Sequence, residues 1–184
     1  TGAKRVLLDD EPKVAAVGAG LDISKPSGNM VIDIGGGTTD VAILSLGGIV
    51  TSESIKVAGD TFDSDIMKYI KDKYKLLVGE KTAQEIKLTI GNVFPEAKGD
   101  KMDVRGRDLV SGLPKTITIS SKEIEEALKE SIEVIIHAAK TVLEKTPPEL
   151  SADIIDKGIV LTGGGALLQG FDKLLSQELK VPVY

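Results

Sequence analysis

The sequence predicts an α/β protein with a smaller lobe inserted into its main layer. Three observations carry that expectation. The stretch VIDIGGGTTDVAIL at 31–44 joins two alternating apolar runs through a glycine-rich turn. The stretch IVLTGGGALLQGF at 159–171 reads as strand, triple-glycine turn and helix. Between them lies a section that is charged and poorly periodic. An insert between two halves of one layer gives a core of residues 1–58 and 121–184 around an α+β lobe of residues 59–120.

Each element follows from local pattern. Arg5–Leu8 is a short strand candidate, and residues 10–20 form an Ala-rich helix with Pro12 near its start, where a missing N–H costs nothing. Met30–Ile34, Asp40–Leu46 and Ser54–Ala58 make an antiparallel meander with Gly47-Gly48 at the second turn. Thr61–Val78 spaces Phe62, Ile66, Tyr69, Ile70 and Tyr74 as a helix does, and the two tyrosines are expected to pack the small lobe. Thr82–Val93 is a second helix, residues 94–114 are irregular, and Thr116–Ile119 is a strand. Ser120 and Glu123 form a capping box for a long helix with Ile124, Leu128, Ile132, Ile135, Ala139 and Val142 on one face. That helix stops before Pro147-Pro148. Gly158–Thr162 is a short, fully apolar strand, and Ala166–Leu179 is a last helix ended by Pro182. His137, the one histidine, sits within a helix and reads as structural.

Composition removes several classes of function. With no cysteine, disulfides and thiolate metal sites are excluded, and a cytosolic redox setting is suggested. A net charge of −5 argues against a broad nucleic-acid surface. Aromatic residues at 3% are too sparse for base-stacking platforms. The longest apolar stretches fall far short of the roughly 20 residues that span a bilayer. The start at Thr1 and the strand-like end KVPVY lead us to expect a piece of a longer protein.

The glycine clusters carry the chemistry. Read alone, GGGTT is equally a hairpin turn or a phosphate cradle, since glycine serves both positive φ and close backbone approach. The GGG at 163–165 is equally a plain strand-to-helix turn or an anion site at a helix N-terminus. Neither has the Gly-Lys-Ser/Thr of a P-loop or a proper GxGxxG. Taken together, they point to one nucleotide gripped from two sides.

The motifs resemble those of the actin/Hsp70/sugar-kinase superfamily. VIDIGGGTTDVAIL looks like its second phosphate segment, LTGGGALLQGF like its adenosine segment, and DEPKVAAVGAG like its connecting helix, in the superfamily's order. VAGDTFDSDI, RGRDLVSGLPKTITISSKEI and TPPELSADIIDKGIVLTGGGALLQGF narrow the resemblance to the MreB family of bacterial actins, over essentially the whole chain. Within it the Mbl-like paralogues are the expected group, and Asp10-Glu11-Pro12 stands where EEP is common. The resemblance implies an actin/Hsp70-like ATPase fold, a ribonuclease H-like mixed sheet flanked by helices. It implies subdomain IIA from residues 1–58 and 121–184, with subdomain IIB inserted as residues 59–120.

It also implies site residues. Asp33 would hold Mg2+ through water, though a turn-capping role fits the same pattern. Gly35, Gly36 and Gly37 would present N–H groups to the β- and γ-phosphates of ATP, with the Thr38 hydroxyl beside them. Thr39 reads as a strand residue, and Asp40 as an outer-shell metal group or a turn residue. Glu11 would orient the attacking water, or is simply a first-turn acid favoured by the helix dipole. Gly163, Gly164 and Gly165 would pack against adenosine and the α-phosphate. In the family a Glu and a Lys three residues later reach adenine and ribose. Lys87 fits, but Gln84 holds the acidic position and Glu85 follows it, so a solvated helix face is the competing reading for Glu85.

The functional expectation is an ATP-binding bacterial actin that polymerises on the cytoplasmic face of the cell membrane and organises sidewall peptidoglycan synthesis. Its partners would be further copies of itself, through longitudinal and lateral contacts, together with a RodZ-type transmembrane protein and cell-wall elongation proteins. Membrane contact would come from the other half, and hydrolysis would be slow and filament-coupled. The 184 residues alone are expected to be inactive. Two alternatives share the superfamily: an Hsp70-type chaperone ATPase, which the insert suits less well, and a small-molecule kinase.

Overall fold

The computed structural model describes residues 2–94 and 99–184. Its main sheet has the order β3-β2-β1-β7, from β1 (Asn29–Ile34), β2 (Thr39–Ser45), β3 (Gly48–Ile55) and β7 (Ile159–Thr162). The first three form an antiparallel meander, and β7 lies parallel to β1, so the sheet is mixed. A second, three-stranded antiparallel sheet runs β4-β5-β6, from β4 (Leu76–Leu77), β5 (Lys101–Asp108) and β6 (Pro114–Ser120). Six α-helices accompany them among the described residues: α1 (Glu11–Gly18), α2 (Gly59–Tyr74), α3 (Glu80–Ile90), α4 (Ser121–Glu144), α5 (Pro148–Lys157) and α6 (Phe171–Leu179).

Strand alternation divides the main sheet into two faces. Val31, Ala42 and Leu44 pack against Ala16 of α1 and Ile23. Met30, Ile32, Ile34, Val41 and Ile43 face the other way, into a large core shared with α2, α4 and α6. The apolar face expected for α4 is buried along its whole length. Its N-terminal box forms as well: the Glu123 carboxylate accepts from the Ser120 N–H at 2.9 Å. Phe62 of α2 meets Phe171 of α6 edge-on, ring centroids 6.5 Å apart, so the core runs without a break from one sheet to the other.

Several boundaries differ from the sequence pattern, each for a physical reason. Arg5–Leu8 forms no strand; Leu8 is 96% exposed, and among the described residues the segment pairs with no strand. The third strand of the meander starts at Gly48, directly after the Leu46-Gly47 turn, and ends at Ile55 rather than running from 54 to 58. Lys75 takes a left-handed φ of 54° and stops α2 early, which frees Leu76 and Leu77 to join β5. α3 begins at Glu80 and ends at Ile90. The irregular reading of 94–114 missed β5, whose charged residues alternate on an open face; positions 95–98 lie outside the described residues. Pro147-Pro148 does not merely end a helix: Pro148 opens α5 from its first position. The last helix is interrupted. Gly164–Leu167 is a 3-10 turn, Gly170 takes a left-handed φ of 77°, and α6 begins only at Phe171. It ends at Leu179, before Pro182, and the last residues add to the sheet beside β7, the Ile159 N–H donating to the Pro182 carbonyl at 2.8 Å.

Candidate functional site: two glycine turns and a carboxylate pair

The β1–β2 hairpin turn is built differently from an ordinary tight turn. None of Gly35, Gly36 and Gly37 has a positive φ. A Cβ on Gly37 would meet nothing within 4 Å, and on Gly35 or Gly36 its nearest neighbour would stand at 3.3 or 3.4 Å. The chain's own packing therefore makes no demand for glycine at 37, and crowds a Cβ at 35 and 36 only slightly. The turn's carbonyls are committed: Gly35 accepts from the Gly59 N–H at 3.1 Å and Gly36 from the Asp60 N–H at 2.9 Å. Those two bonds satisfy orphan donors at the start of α2. The turn's donors are free. Among the described residues, the N–H groups of Gly36, Gly37 and Thr38 have no acceptor; only Gly35 N–H is bonded, to the Thr38 carbonyl at 2.9 Å. A run of unpaired backbone N–H groups beside glycine is an anion-binding concavity. Thr38 is half-buried at its rim. Thr39 is fully buried, its hydroxyl donating to the Val57 carbonyl at 2.6 Å, as a strand residue.

Register sets Asp33 opposite Asp40 on β2 and beside Thr162 on β7. Both carboxylates lie on the α1 face of the sheet, past the Val31–Ala42 pair. Burial, and then the nearby negative charge of Asp40, push the Asp33 carboxyl above its ordinary pKa. Among the described residues neither Asp33 nor Asp40 has a cationic partner within 4 Å. Two facing, unneutralised carboxylates next to free N–H groups suit a hydrated divalent cation, which would relieve their repulsion.

The second glycine turn follows β7 and packs onto the end of β1. Gly163 has φ 89° and ψ 164°, a region open essentially to glycine alone. A Cβ there would run into the Ile34 carbonyl and stand 2.6 Å from Asp33 Oδ1. On Gly165 it would run into the Ile34 side chain, whereas Gly164 faces open space. Thus Gly163 and Gly165 hold the turn against β1, and Gly164 is exposed beside a small crevice of about 60 Å³. Lys87 of α3 lines the same crevice, with Phe62, Leu88 and Leu168. Its ammonium donates to the Gly59 carbonyl at 2.9 Å and stands 2.8 Å from Asp63 Oδ1. Glu85 is exposed, two positions from Lys87 and so on another side of the helix, and does not line the crevice.

Glu11 is the first residue of α1 and is exposed. The loop after α1 is bonded to the Leu46-Gly47 turn at the far end of the meander, Gly47 N–H donating to the Ile23 carbonyl at 2.7 Å. Tyr69 and Tyr74 do not pack the small lobe alone. They reach across to α4, Tyr69 donating to Glu126 at 2.7 Å and Tyr74 to Glu123. The pattern reading missed Asp63 and the α2 N-terminus; the signal available was VAGDTFD, a Gly-Asp pair at a helix start with a second acid one turn on.

A mixed sheet with a free-donor glycine hairpin at one end, a facing carboxylate pair and a second glycine turn defines the actin-like class. The fold matches that class: a filament-forming protein described as the MamK double helical filament aligns over 95% of the chain with a TM-score of 0.76 at 22% identity. The chain belongs to the MreB/Mbl family, which matches residues 1–184. It is 65% identical over 183 residues to the cell shape-determining protein Mbl of Bacillus subtilis, covering 100% of this chain and 55% of that one. It is 49% identical over 182 residues to the cell shape-determining protein MreB of Escherichia coli, covering 99% and 52%. MreB5 of Spiroplasma citri, in a crystal structure bound to AMPPNP, superposes with a TM-score of 0.94 at 47% identity over 100% of this chain and 55% of that one. The chain therefore spans about half the length of the curated relatives it matches.

Proposed function

We propose that the chain forms one side of an ATP–Mg2+ cleft in a filament-forming protein that determines cell shape. The observation that carries the proposal is the row of unpaired N–H groups at Gly36, Gly37 and Thr38, held in place because the turn's carbonyls cap α2. These donors, with the Thr38 hydroxyl, bind the β- and γ-phosphates, while the Gly35 N–H, expected from the sequence to join them, is held by the Thr38 carbonyl. Gly163, Gly164 and Gly165 receive the adenosine side, and Lys87 serves the nucleoside. Asp33, assisted by Asp40, holds the metal through water. Bound there, Mg2+ neutralises phosphate charge. Glu11, at the N-terminus of α1, aligns the attacking water. Support for a nucleotide site comes also from the AMPPNP-bound and ADP-bound MreB5 structures that this chain resembles.

The assembled protein, in this reading, polymerises through longitudinal and lateral contacts with its own copies. It works at the cytoplasmic face of the cell membrane with a RodZ-type transmembrane partner and the cell-wall elongation proteins. No described helix is long and apolar enough to cross a membrane, and membrane contact is assigned to the part of the relatives that this chain does not span. Residues 1–58 and 121–184 form subdomain IIA and residues 59–120 form subdomain IIB. That division is supported by the second sheet, whose strands all lie between Leu76 and Ser120.

The test is ATP-dependent pelleting of the full-length protein on lipid vesicles, with negative-stain microscopy of the pellet. Paired filaments that weaken in Asp33→Asn and Glu11→Gln are expected. Absence of polymer with every nucleotide, or variants that assemble like the wild type, would overturn the proposal.

A further inference from the structure

We propose that Asp63 is a positioning residue of the nucleotide site, fixing the Lys87 ammonium at the nucleoside crevice. The inference rests on the nucleotide reading above and adds a residue to it. Lysine is a poor crevice ligand when left alone, because its four-carbon stem is flexible and its ammonium prefers water. Here it is held. Asp63 and Lys87 face each other from α2 and α3, with each side chain only 13% exposed. The ammonium stands 2.8 Å from Asp63 Oδ1, a buried oxygen that accepts no hydrogen bond among the described residues, so the ionic contact with Lys87 is what balances its charge. A second anchor is the Gly59 carbonyl, at 2.9 Å.

These two anchors leave at least one of the three lysine N–H donors uncommitted. The crevice is where it has a use, since Lys87 lines it with Gly164, Gly165, Leu88 and Phe62. Asp63 is one turn along α2 from Gly59, so both anchors come from the helix whose first N–H groups are capped by the phosphate hairpin. The acid that partners Lys87 is therefore on a different helix from Lys87. Neither Glu85 nor Gln84, its neighbours on α3, fills that place. Without the Asp63 charge, Lys87 keeps one neutral anchor and regains its freedom to turn toward solvent.

The test uses the full-length protein and two probes: ATP, and inorganic tripolyphosphate, which lacks the nucleoside. Equilibrium titrations of wild type, Asp63→Asn, Lys87→Met and the double variant are compared. Asp63→Asn should weaken ATP about tenfold, the scale expected for a charge-assisted contact, and leave tripolyphosphate within about twofold. The double variant should bind ATP no worse than Lys87→Met, because Asp63 acts through Lys87. Equal losses on both probes, or losses that multiply in the double variant, would mean a general structural role and overturn the inference. Asp63→Glu keeps the charge and, if Asp63→Asn does not fold, takes its place. It should weaken ATP less than Lys87→Met does and again spare tripolyphosphate; a loss on tripolyphosphate overturns the inference. A wild type that binds tripolyphosphate and ATP equally well overturns it too, whereas one that binds neither overturns the nucleotide reading itself.

Discussion

The two glycine turns lie at the same end of one sheet and look alike in sequence, yet they answer different demands. At 163–165 the chain itself requires glycine: Gly163 occupies φ 89°, ψ 164°, and a side chain on it or on Gly165 would collide with Ile34. At 35–37 no φ is positive and a Cβ would come no nearer than 3.3 Å to any neighbour, with Gly37 fully open, and among the described residues the N–H groups at 36–38 have no acceptor. A glycine required by internal packing tells of folding; a glycine the fold does not require tells of something that approaches from outside. The sharpest way to break this distinction is Gly163→Ala. Leaving a glycine-only backbone region costs about 1–3 kcal/mol, and the clash with a backbone carbonyl cannot be relieved by a rotamer change and adds about 1–3 kcal/mol. Urea denaturation should show a loss of about 3 kcal/mol, or no folded protein. A variant as stable as wild type would remove the difference between the turns.

The same contrast separates two carboxylates. Glu123, at the start of α4, is satisfied within the protein. Burial pushes its carboxyl up, but hydrogen bonds from Tyr74, Lys73 and Ser120 outweigh it and hold the pKa at about 2. Glu123→Gln should cost about 1–2 kcal/mol at pH 7, the scale of a charge-assisted network. Because the folded pKa is depressed, this contribution is complete above the ordinary value of 4.5 and is lost as pH falls through about 2. The deficit of the variant should shrink over that window in pH-dependent denaturation curves. Asp33 has the opposite sign. Its folded pKa is raised by burial and by Asp40, so the ionised group destabilises the unliganded protein above that pKa. Without nucleotide or Mg2+, Asp33→Asn should raise Tm modestly at pH 7. That advantage should fade as pH falls through the raised pKa and be gone below the ordinary value of 3.8. A lower Tm for Asp33→Asn at pH 7 would mean that Asp33 has a stabilising partner in the fold.

Much of the fold was legible because it follows one-dimensional periods. The α4 face from Ile124 to Val142, the β1–β2 alternation and the Ser120–Glu123 box all came through. What failed depended on pairing or on single backbone angles. Arg5–Leu8 has the composition of a strand and, among the described residues, no strand pairs with it. Lys75 takes a left-handed angle that nothing in KDKYKLLV announces, and it turns a helix end into β4. The site showed the same division. Its glycines and Asp33 stand in continuous motifs. Asp63 meets Lys87 across two helices, a contact 24 positions apart in the chain that no local period encodes.

The smallest expected effect on stability is the most informative. Gly37→Ala adds a methyl group where no atom lies within 4 Å, at a residue whose φ is not positive. Its stability should stay within about 0.5 kcal/mol of wild type, or rise slightly, since alanine loses less chain entropy on folding. In the liganded protein the position is different. If Gly36, Gly37 and Thr38 present their N–H groups to phosphate oxygens, a methyl group on Gly37 stands at the surface those oxygens must approach. ATP affinity of the full-length protein should then drop by at least tenfold while the unfolding curve stays where it was. A stable variant that still binds ATP as well as wild type would make the three glycines mere turn residues. The free N–H groups would then be solvated, and the difference between the two turns would lie in packing alone.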